Sequence, residues 1–137
     1  MDDFALVERS PTHAELESLR GAVGWVRYEI EQLGFPVIDI LYDVCVLHDC
    51  EVVGFGRVAG EEGVRYYIQE IMVLPEFQGR GIGRRLMDAI VGYLDANAPP
   101  GAWIGLVASR ELSGFYEEYG FEIRREDRSG LLMRRKT

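Results

Sequence analysis

The sequence predicts an α/β domain with a mixed central sheet of six to seven strands flanked by four helices, in the order β-α-α-β-β-β-α-β-α-β-β. The first observation is that the segment over about 42–74 reads as three consecutive strands separated by turn residues. The second is a glycine-rich stretch placed between a strand and an apolar-periodic helix. The third is the continuously apolar run "WIGLVA" (103–108), which is typical of a buried strand in a partly parallel sheet.

The first 40 residues predict a short strand over 4–9 and then two helices. Thr12 followed by Glu15 three residues later is a capping-box pattern, so a helix should begin there. An apolar stripe with the spacing i, i+4, i+7 predicts the second helix and is formed by Val26, Ile30 and Leu33. Gly34 can end this helix. Because "FPVIDI" (35–40) contains a proline, we expect a loop there.

The middle of the chain predicts three strands. The first holds Tyr42 to His48, and a turn follows near Asp49–Cys50. The second strand covers about 51–59, and "GEEG" (60–63) is the next turn. The third strand runs over about 64–74 and ends at a proline.

The remaining elements follow from periodicity and end signals. One apolar stripe predicts the helix after the glycine-rich stretch, and it contains Leu86, Ile90 and Leu94. After the strand 103–108, a helix is expected with Ser109 as N-cap and Gly120 as its terminal glycine. The last residues predict a hairpin. Without repeats or linkers, residues 1–137 are expected to form a single domain.

Composition narrows the class of protein. The chain is 137 residues long, 47% hydrophobic and 28% charged, with a net charge of −8. This charge argues against nucleic-acid binding, which needs a basic face. We expect no membrane association, because no apolar run approaches the ~20 residues of a membrane span and the N-terminus lacks a signal core.

The cysteines predict neither a disulfide framework nor a metal site. Cys45 and Cys50 do not form a CxxC pair, and His48 is the nearby histidine. We expect reduced thiols, no bound metal and a cytoplasmic location.

The segment "VLPEFQGRGIGRRLM" (73–87) contains Gly79, Gly81 and Gly83 immediately before a helix. The first turn of a helix leaves amide groups without partners, and the helix dipole favours an anion there. Glycines allow these amides to approach a bulky phosphate. We therefore expect a phosphate or pyrophosphate to bind at this loop.

Two common phosphate-binding patterns do not fit this loop. A P-loop requires lysine and then serine or threonine after its last glycine, but Gly83 is followed by Arg84 and Arg85. The dinucleotide pattern G-x-G-x-x-G requires a third glycine, and the two possible positions hold Arg84 and Leu86. The pattern that does fit is Q-x-x-G-x-G, formed by Gln78, Gly81 and Gly83.

Preceded by "VLPEF", this pattern resembles the acetyl-CoA loop of the GNAT acyltransferases, and "FYEEYGF" (115–121) is similar to a second segment of that family. The resemblance covers about residues 40–136. It implies the GNAT fold, with splayed strands that hold acetyl-CoA as the acetyl donor. Residues 1–40 then supply an N-terminal strand and acceptor-site helices, and residues 41–137 form the acetyl-CoA-binding core.

The resemblance also implies the cofactor contacts. The loop amides bind the pyrophosphate, and the free edge of the preceding strand pairs with the pantetheine arm. The implied residues are Ile71, Met72, Val73, Gln78, Gly79, Arg80, Gly81, Ile82, Gly83, Arg84 and Tyr116. The side chains of Arg80, Arg84 and Arg85 either contact phosphates or form a solvated helix face.

Tyr116 matches the family's tyrosine that protonates the departing thiolate of coenzyme A. The ordinary pKa values of a phenol and a thiol lie within ~1.5 units, so this proton transfer is nearly balanced. The alternative is that Tyr116 packs under the loop, a role that Phe115 and Phe121 can fill. Tyr119 is expected to pack or to lie at the surface.

Glu70 is the candidate general base, acting directly or through water, because carboxylates are disfavoured inside strands. Strand alternation predicts that it shares a face with Ile68 and Met72, whereas Tyr67, Gln69 and Ile71 share the other face. The alternative role is an ion pair with Arg57 or Arg65. Some family members place their base in the strand that here is "WIGLVA", where Gly105 offers no carboxylate.

Together these features predict an N-acetyltransferase that moves an acetyl group to a primary amine by direct attack in a ternary complex. We expect no acyl-enzyme on Cys45 or Cys50. The acceptor is a small molecule or a peptide, and a homodimer is possible. Two alternatives are an acetyl-CoA-binding sensor without turnover and a phosphate-ligand-binding module without acyl transfer. Trp25 either lines the acceptor pocket or anchors the second helix.

Overall fold

The computed structural model describes residues 3–23, 39–127 and 130–135, except for the side chains of Glu70 and Asp127. Seven strands and three α-helices lie in these ranges. They are β1 (Phe4–Val7), α1 (His13–Ala22), β2 (Asp39–His48), β3 (Glu51–Glu61), β4 (Arg65–Val73), α2 (Ile82–Asn97), β5 (Trp103–Ala108), α3 (Ser113–Glu117), β6 (Phe121–Asp127) and β7 (Gly130–Arg135). The order of these described elements agrees with the predicted one. The predicted second helix, which includes Trp25, falls outside the described residues.

The strands form one mixed sheet in the order β1-β2-β3-β4-β5-β7-β6. β4 and β5 run parallel, and the other neighbouring pairs run antiparallel. A parallel pair needs a crossover, and α2 supplies it between β4 and β5. This confirms the α/β architecture and the partly parallel sheet expected from the apolar strand 103–108.

The N-terminal helix begins as its capping pattern predicts. The Thr12 hydroxyl accepts a hydrogen bond from the Glu15 amide, and the Glu15 carboxylate accepts one from the Thr12 amide. Arg9 donates two further hydrogen bonds to the same carboxylate, at 3.0 and 3.1 Å. These hydrogen bonds from Arg9 and from the Thr12 amide lower the pKa of Glu15 to about 2.

Four predicted boundaries were wrong. The first strand, predicted over 4–9, ends at Val7. The loop expected over 35–40 is contradicted at Asp39 and Ile40, which pair with β3, and its other residues lie outside the described ranges. The turn predicted over 60–63 starts later, because β3 continues to Glu61. The helix predicted from Ser109 is divided into a 3-10 turn (Arg110–Leu112) and the short α3, and the Ser109 side chain makes no cap hydrogen bond.

The buried stripe of α2 packs on one face of the sheet, against two glycines of β3. A Cβ atom at Gly54 would lie 2.8 Å from Ile82 Cγ2, and one at Gly56 would lie 2.8 Å from Ile90 Cδ1. The missing side chains therefore let α2 approach the strand closely. This contact places the first turn of α2 beside the end of β4.

A buried ion pair lies between β2 and β3, whose residues Asp43 and Arg57 are cross-strand partners. The Arg57 guanidinium donates to both oxygens of Asp43, at 2.8 and 3.0 Å. Side-chain exposure is 3% for Asp43 and 13% for Arg57, so the pair is almost removed from water. Two parallel hydrogen bonds of this kind are strong and geometrically specific.

Across the described ranges, no helix combines the length and the apolar character needed to cross a membrane.

Candidate active site

The separation of β4 and β5 opens a cleft at the centre of the sheet. The two strands pair from Arg65 with Trp103 to Ile68 with Leu106, and beyond that point each pairs with its other neighbour. The cleft has a volume of about 340 Å³. It is lined by Ile71, Val73, Phe77, Gln78, Gly79, Gly81, Ile82, Gly83, Leu112, Phe115 and Tyr116. One site thus unites the glycine-rich loop, the end of β4 and the helix that carries Tyr116.

A β-bulge in β4 changes which side chains face the cleft. The register slips between Phe55 and Arg57, so that Glu70 and Ile71 together lie opposite Gly56. Ile71 therefore lies on the α2 side, 2.9 Å from the position of a Gly56 Cβ atom. The bulge contradicts the simple alternation predicted for this strand, because Ile68 and Ile71 now share a face.

Met72 consequently points away from the cleft. It pairs with Phe55, is 2% exposed and does not line the cavity. The contact predicted for Met72 uses its backbone, so it stays a prediction whichever way the side chain points.

The glycine-rich loop presents amide groups at the start of α2. Among the described residues, no backbone carbonyl accepts a hydrogen bond from any amide between Gly79 and Arg84. Gly79 and Gly81 have φ values of 79° and 81°, which favour glycine. No described protein atom lies within 4 Å of a Cβ built at Gly79, Gly81 or Gly83. Unpaired amides beside open space form an anion-binding arrangement.

Gln78 shapes the end of the strand. Its side-chain amide donates a 3.0 Å hydrogen bond to the Val73 carbonyl. This bond links the loop to the last residue of β4, and it uses one of the two N–H groups of the side-chain amide. A structural role therefore accounts for the glutamine of the Q-x-x-G-x-G pattern.

The three arginines of the loop have different partners. Arg80 lies over the Phe77 ring at 5.3 Å, and Arg85 donates to the Phe4 carbonyl at 3.3 Å. Arg84 donates to Glu118 at 2.8 Å and lies over the Phe115 ring at 5.7 Å. None of the three side chains lines the cavity.

Tyr116 forms the wall of the cleft opposite the loop. Its side chain is 7% exposed, and burial raises the pKa of its phenol to about 12. The ring packs edge-on against Phe115 and Phe121, with centroid distances of 5.1 and 6.3 Å. Tyr116 is therefore both packed and accessible from the cavity, and its phenol is protonated at neutral pH.

Two strand positions were considered for the general base, Glu70 on β4 and Gly105 on β5. The backbone of Glu70 lies in the bulge, at the point where β4 leaves β5. The glycine at position 105 is explained by packing, because a Cβ atom there would lie 2.3 Å from the Trp103 ring. The arginines proposed as alternative partners of Glu70 have other carboxylates nearby: Arg57 contacts Asp43, and Arg65 contacts Glu61 at 3.6 Å.

Phe77 and Leu112 line the cleft but were not predicted from the sequence. Each belongs to a short 3-10 segment, which produces no helical or strand periodicity. The 49% exposure of Leu112 is high for a large apolar residue, and its place in the cleft wall explains it. The thiols of Cys45 and Cys50 are free and lie outside the cleft lining.

Residues 14–123 match the family model described as an acetyltransferase (GNAT) domain. This match covers most of the chain, and the chain therefore belongs to the GNAT acetyltransferase family, a family of acyltransferase enzymes. The membership predicted from the two sequence segments is confirmed.

Individual relatives are consistent with this assignment. The chain is 27% identical over 114 residues to the uncharacterized N-acetyltransferase ycf52 of Gracilaria tenuistipitata var. liui, a match that covers 78% of this chain and 60% of the relative. The chain spans about three fifths of the length of the first curated relatives that it matches.

Solved structures share the fold. A probable acetyltransferase from meticillin-resistant Staphylococcus aureus superposes with a TM-score of 0.74 and 26% identity, covering 87% of this chain and 90% of the other. A GNAT family acetyltransferase from Elizabethkingia anophelis, solved with acetyl-CoA bound, has a TM-score of 0.67 and 17% identity, with 100% of both chains covered. At that identity the second likeness establishes the fold alone.

Proposed function

We propose that this protein is an acetyl-CoA-dependent N-acetyltransferase that transfers the acetyl group to a primary amine by direct attack in a ternary complex. The observation that carries the proposal is one cleft with unpaired helix-terminal amides at one end and the buried phenol of Tyr116 along its wall. A donor with a pyrophosphate and a long thiol arm matches both features.

The donor is held from two sides. The amides from Gly79 to Arg84 bind the pyrophosphate, aided by the partial positive charge at the start of α2. The edge of β4 beyond Ile68 is not paired with β5, and it accepts the pantetheine arm as an additional strand. The acetyl-CoA-bound Elizabethkingia protein, which has the same fold, supports this choice of donor.

Tyr116 supplies the proton that the leaving thiolate requires. With a pKa of about 12, the buried phenol is a weaker acid than its ordinary value suggests. The pKa of this phenol is therefore further from that of an ordinary thiol than the unperturbed values are. A thiolate in the same cleft is also removed from water, which raises its own pKa and restores much of the match.

Glu70 is the proposed base, acting directly or through water. An alkyl ammonium has a pKa near ~10.4, so the attacking amine must lose a proton before it reacts. The bulge brings the backbone of Glu70 to the point where the two strands separate, which is where the thioester would lie. With Gly105 on the adjacent strand carrying no carboxylate, Glu70 is the acidic residue nearest this point along β4 or β5.

The decisive experiment has two stages. Calorimetric titration of the full chain with acetyl-CoA and with coenzyme A tests donor binding, and micromolar affinity is expected. Thiol release is then followed with a panel containing spermidine, lysine, kanamycin and a peptide with a free N-terminus.

The outcomes separate the alternatives. Binding followed by amine-dependent thiol release supports the enzyme. Binding without release from any amine would favour a sensor domain, and absence of binding at millimolar ligand would refute the proposal.

The role of Tyr116 has its own test. The Tyr116→Phe variant should lower kcat while leaving the affinity for coenzyme A nearly unchanged. Equal kcat in the variant would remove Tyr116 as the acid.

A further inference from the structure

A group of polar contacts ties the end of α3 to the beginning of α2 across the rim of the cleft. Glu118, immediately after α3, accepts a 2.8 Å hydrogen bond from Arg84. The Tyr119 hydroxyl donates a 2.8 Å hydrogen bond to Asp88, and the Arg84 carbonyl lies 3.3 Å from the same hydroxyl. We call these four residues the interhelix clasp. Arg84 and Asp88 are one turn apart, so both face α3.

The short helix α3 depends on such contacts for its position. It contains five residues, far fewer than an isolated helix needs to be stable in water. No side-chain hydrogen bond caps its N-terminus. Tertiary contacts must therefore determine where α3 lies, and the clasp supplies polar ones at its C-terminal end.

A chain of aromatic contacts links the clasp to the phenol in the cleft. The Tyr119 ring packs edge-on against Phe115, with centroids 5.5 Å apart. Phe115 in turn packs edge-on against Tyr116 at 5.1 Å. A shift of Tyr119 would thus move the ring on which Tyr116 rests.

We propose that Tyr119 and Asp88 are positioning residues, which hold Tyr116 at a set distance from the anion-binding loop. The inference rests on the proposed function, because it assigns a purpose to the placement of Tyr116. It also changes the expected role of Tyr119, which does more than pack. The clasp joins α2, which begins with the pyrophosphate site, to α3, which carries the phenol. It therefore determines the span of the cleft.

The charge of the clasp suits this task. Burial and the hydrogen bond to Asp88 raise the pKa of Tyr119 to about 12, so its hydroxyl remains a donor at neutral pH. The carboxylate of Asp88 accepts this hydrogen bond, and hydrogen bonds to charged acceptors are stronger than neutral ones. The contact between Arg84 and Glu118 is solvent-exposed, with 54% and 57% of the side chains accessible, and contributes little.

The first test is a double-mutant cycle in kcat, measured with the amine from the panel that gives the fastest thiol release. Tyr119→Phe should lower kcat severalfold and by at most about tenfold, because the lost hydrogen bond has a charged acceptor but lies at an exposed position. In the Tyr116→Phe background the same substitution should have almost no further effect, because the group that it positions is gone. Tyr42→Phe, which removes a phenol hydroxyl away from the cleft, should match the wild type.

Two outcomes would overturn the inference. An unchanged kcat in Tyr119→Phe would mean that the clasp does not position the acid. An equal loss of kcat in both backgrounds would mean that Tyr119 acts independently of Tyr116.

The second test does not require an acceptor. Calorimetry compares acetyl-CoA, which spans the whole cleft, with adenosine 3′,5′-bisphosphate, a fragment that lacks the pantetheine arm. Asp88→Asn should weaken acetyl-CoA binding severalfold and leave fragment binding unchanged. The control variant Glu117→Gln removes a negative charge from the exposed residue next to Glu118. It should alter the affinity for neither ligand.

The results distinguish this inference from the proposed function. If the wild type binds acetyl-CoA and releases thiol while the clasp variants match it, the clasp inference alone fails. If the wild type neither binds acetyl-CoA nor releases thiol, the proposed function fails and the inference fails with it. Equal weakening of both ligands by Asp88→Asn would indicate general damage to the fold and would also contradict positioning.

Discussion

Replacing Gly81 with alanine tests whether the glycine-rich loop is the anion site. Gly81 precedes α2 with a φ of 81°, and a Cβ built there meets no described protein atom within 4 Å. In the protein alone, the cost is therefore confined to backbone strain, about 1–2 kcal/mol for an L-residue in this conformation. With a phosphate against the loop, the added methyl group also displaces the ligand.

The loss of affinity can be estimated separately from the strain. A hydrogen bond between an amide and a charged oxygen contributes about 1.5–3 kcal/mol. Losing one such bond would raise the Kd for acetyl-CoA about 10- to 150-fold.

Gly63 offers a matched control for this experiment. It has a φ of 83° and likewise no described atom within 4 Å of a built Cβ, but it lies in the turn between β3 and β4. Gly63→Ala should therefore lower the Tm by about as much as Gly81→Ala, without changing the Kd. Thermal unfolding and calorimetry with acetyl-CoA measure the two quantities. If both variants bind acetyl-CoA as the wild type does, the loop is not the anion site.

Three further predictions concern stability. Thr12→Ala should lower the free energy of unfolding by about 1 kcal/mol, because it removes the hydroxyl that caps α1, and an unchanged value in urea titration would contradict the capping role. Asp43→Ala should cost about 3 kcal/mol in the same assay, because it removes two hydrogen bonds from the buried Arg57 guanidinium, and a loss below 1 kcal/mol would mean that the site relaxes. The pKa of Tyr116 is about 12 in the folded protein and ~10 in an unfolded chain. The resulting contribution to the free energy of unfolding is fully present below pH ~10 and is lost as the pH rises toward about 12. Between these pH values the free energy of unfolding should fall by about 2–3 kcal/mol less in Tyr116→Phe than in the wild type. An identical fall in variant and wild type would show that Tyr116 does not cause it.

The most successful predictions from the sequence concerned local features. The capping box of Thr12 and Glu15 formed as expected, because its hydrogen bonds join residues three apart. The turn at Asp49–Cys50 is present, and both residues have positive φ values of 49° and 67°. The predictions that failed depended on contacts with distant parts of the chain. The short α3 is the clearest example, since the end signals Ser109 and Gly120 predicted one continuous helix where the structure has a 3-10 turn and a five-residue helix.

In the candidate site, too, local segments predicted the residues, whereas pairing between strands determined how some side chains are oriented. The glycines, Gln78 and Tyr116 were found from two short segments, and the structure brings them to one cleft. The orientation of Ile71 and Met72 was mistaken, because a bulge arises from pairing with β3 and leaves no local signal in β4.

The sequence by itself determined the order of the elements, the start of α1 and the position of the anion-binding loop. Each depends on hydrogen bonds or dihedral preferences within a few residues, which the amino-acid types specify directly. The tertiary structure alone decided how closely α2 approaches Gly54 and Gly56, and which partners join α2 to α3. Asp88 and Tyr119 are 31 residues apart. Their contact exists because the sheet places both helices beside the same cleft, and no local pattern specifies that distance.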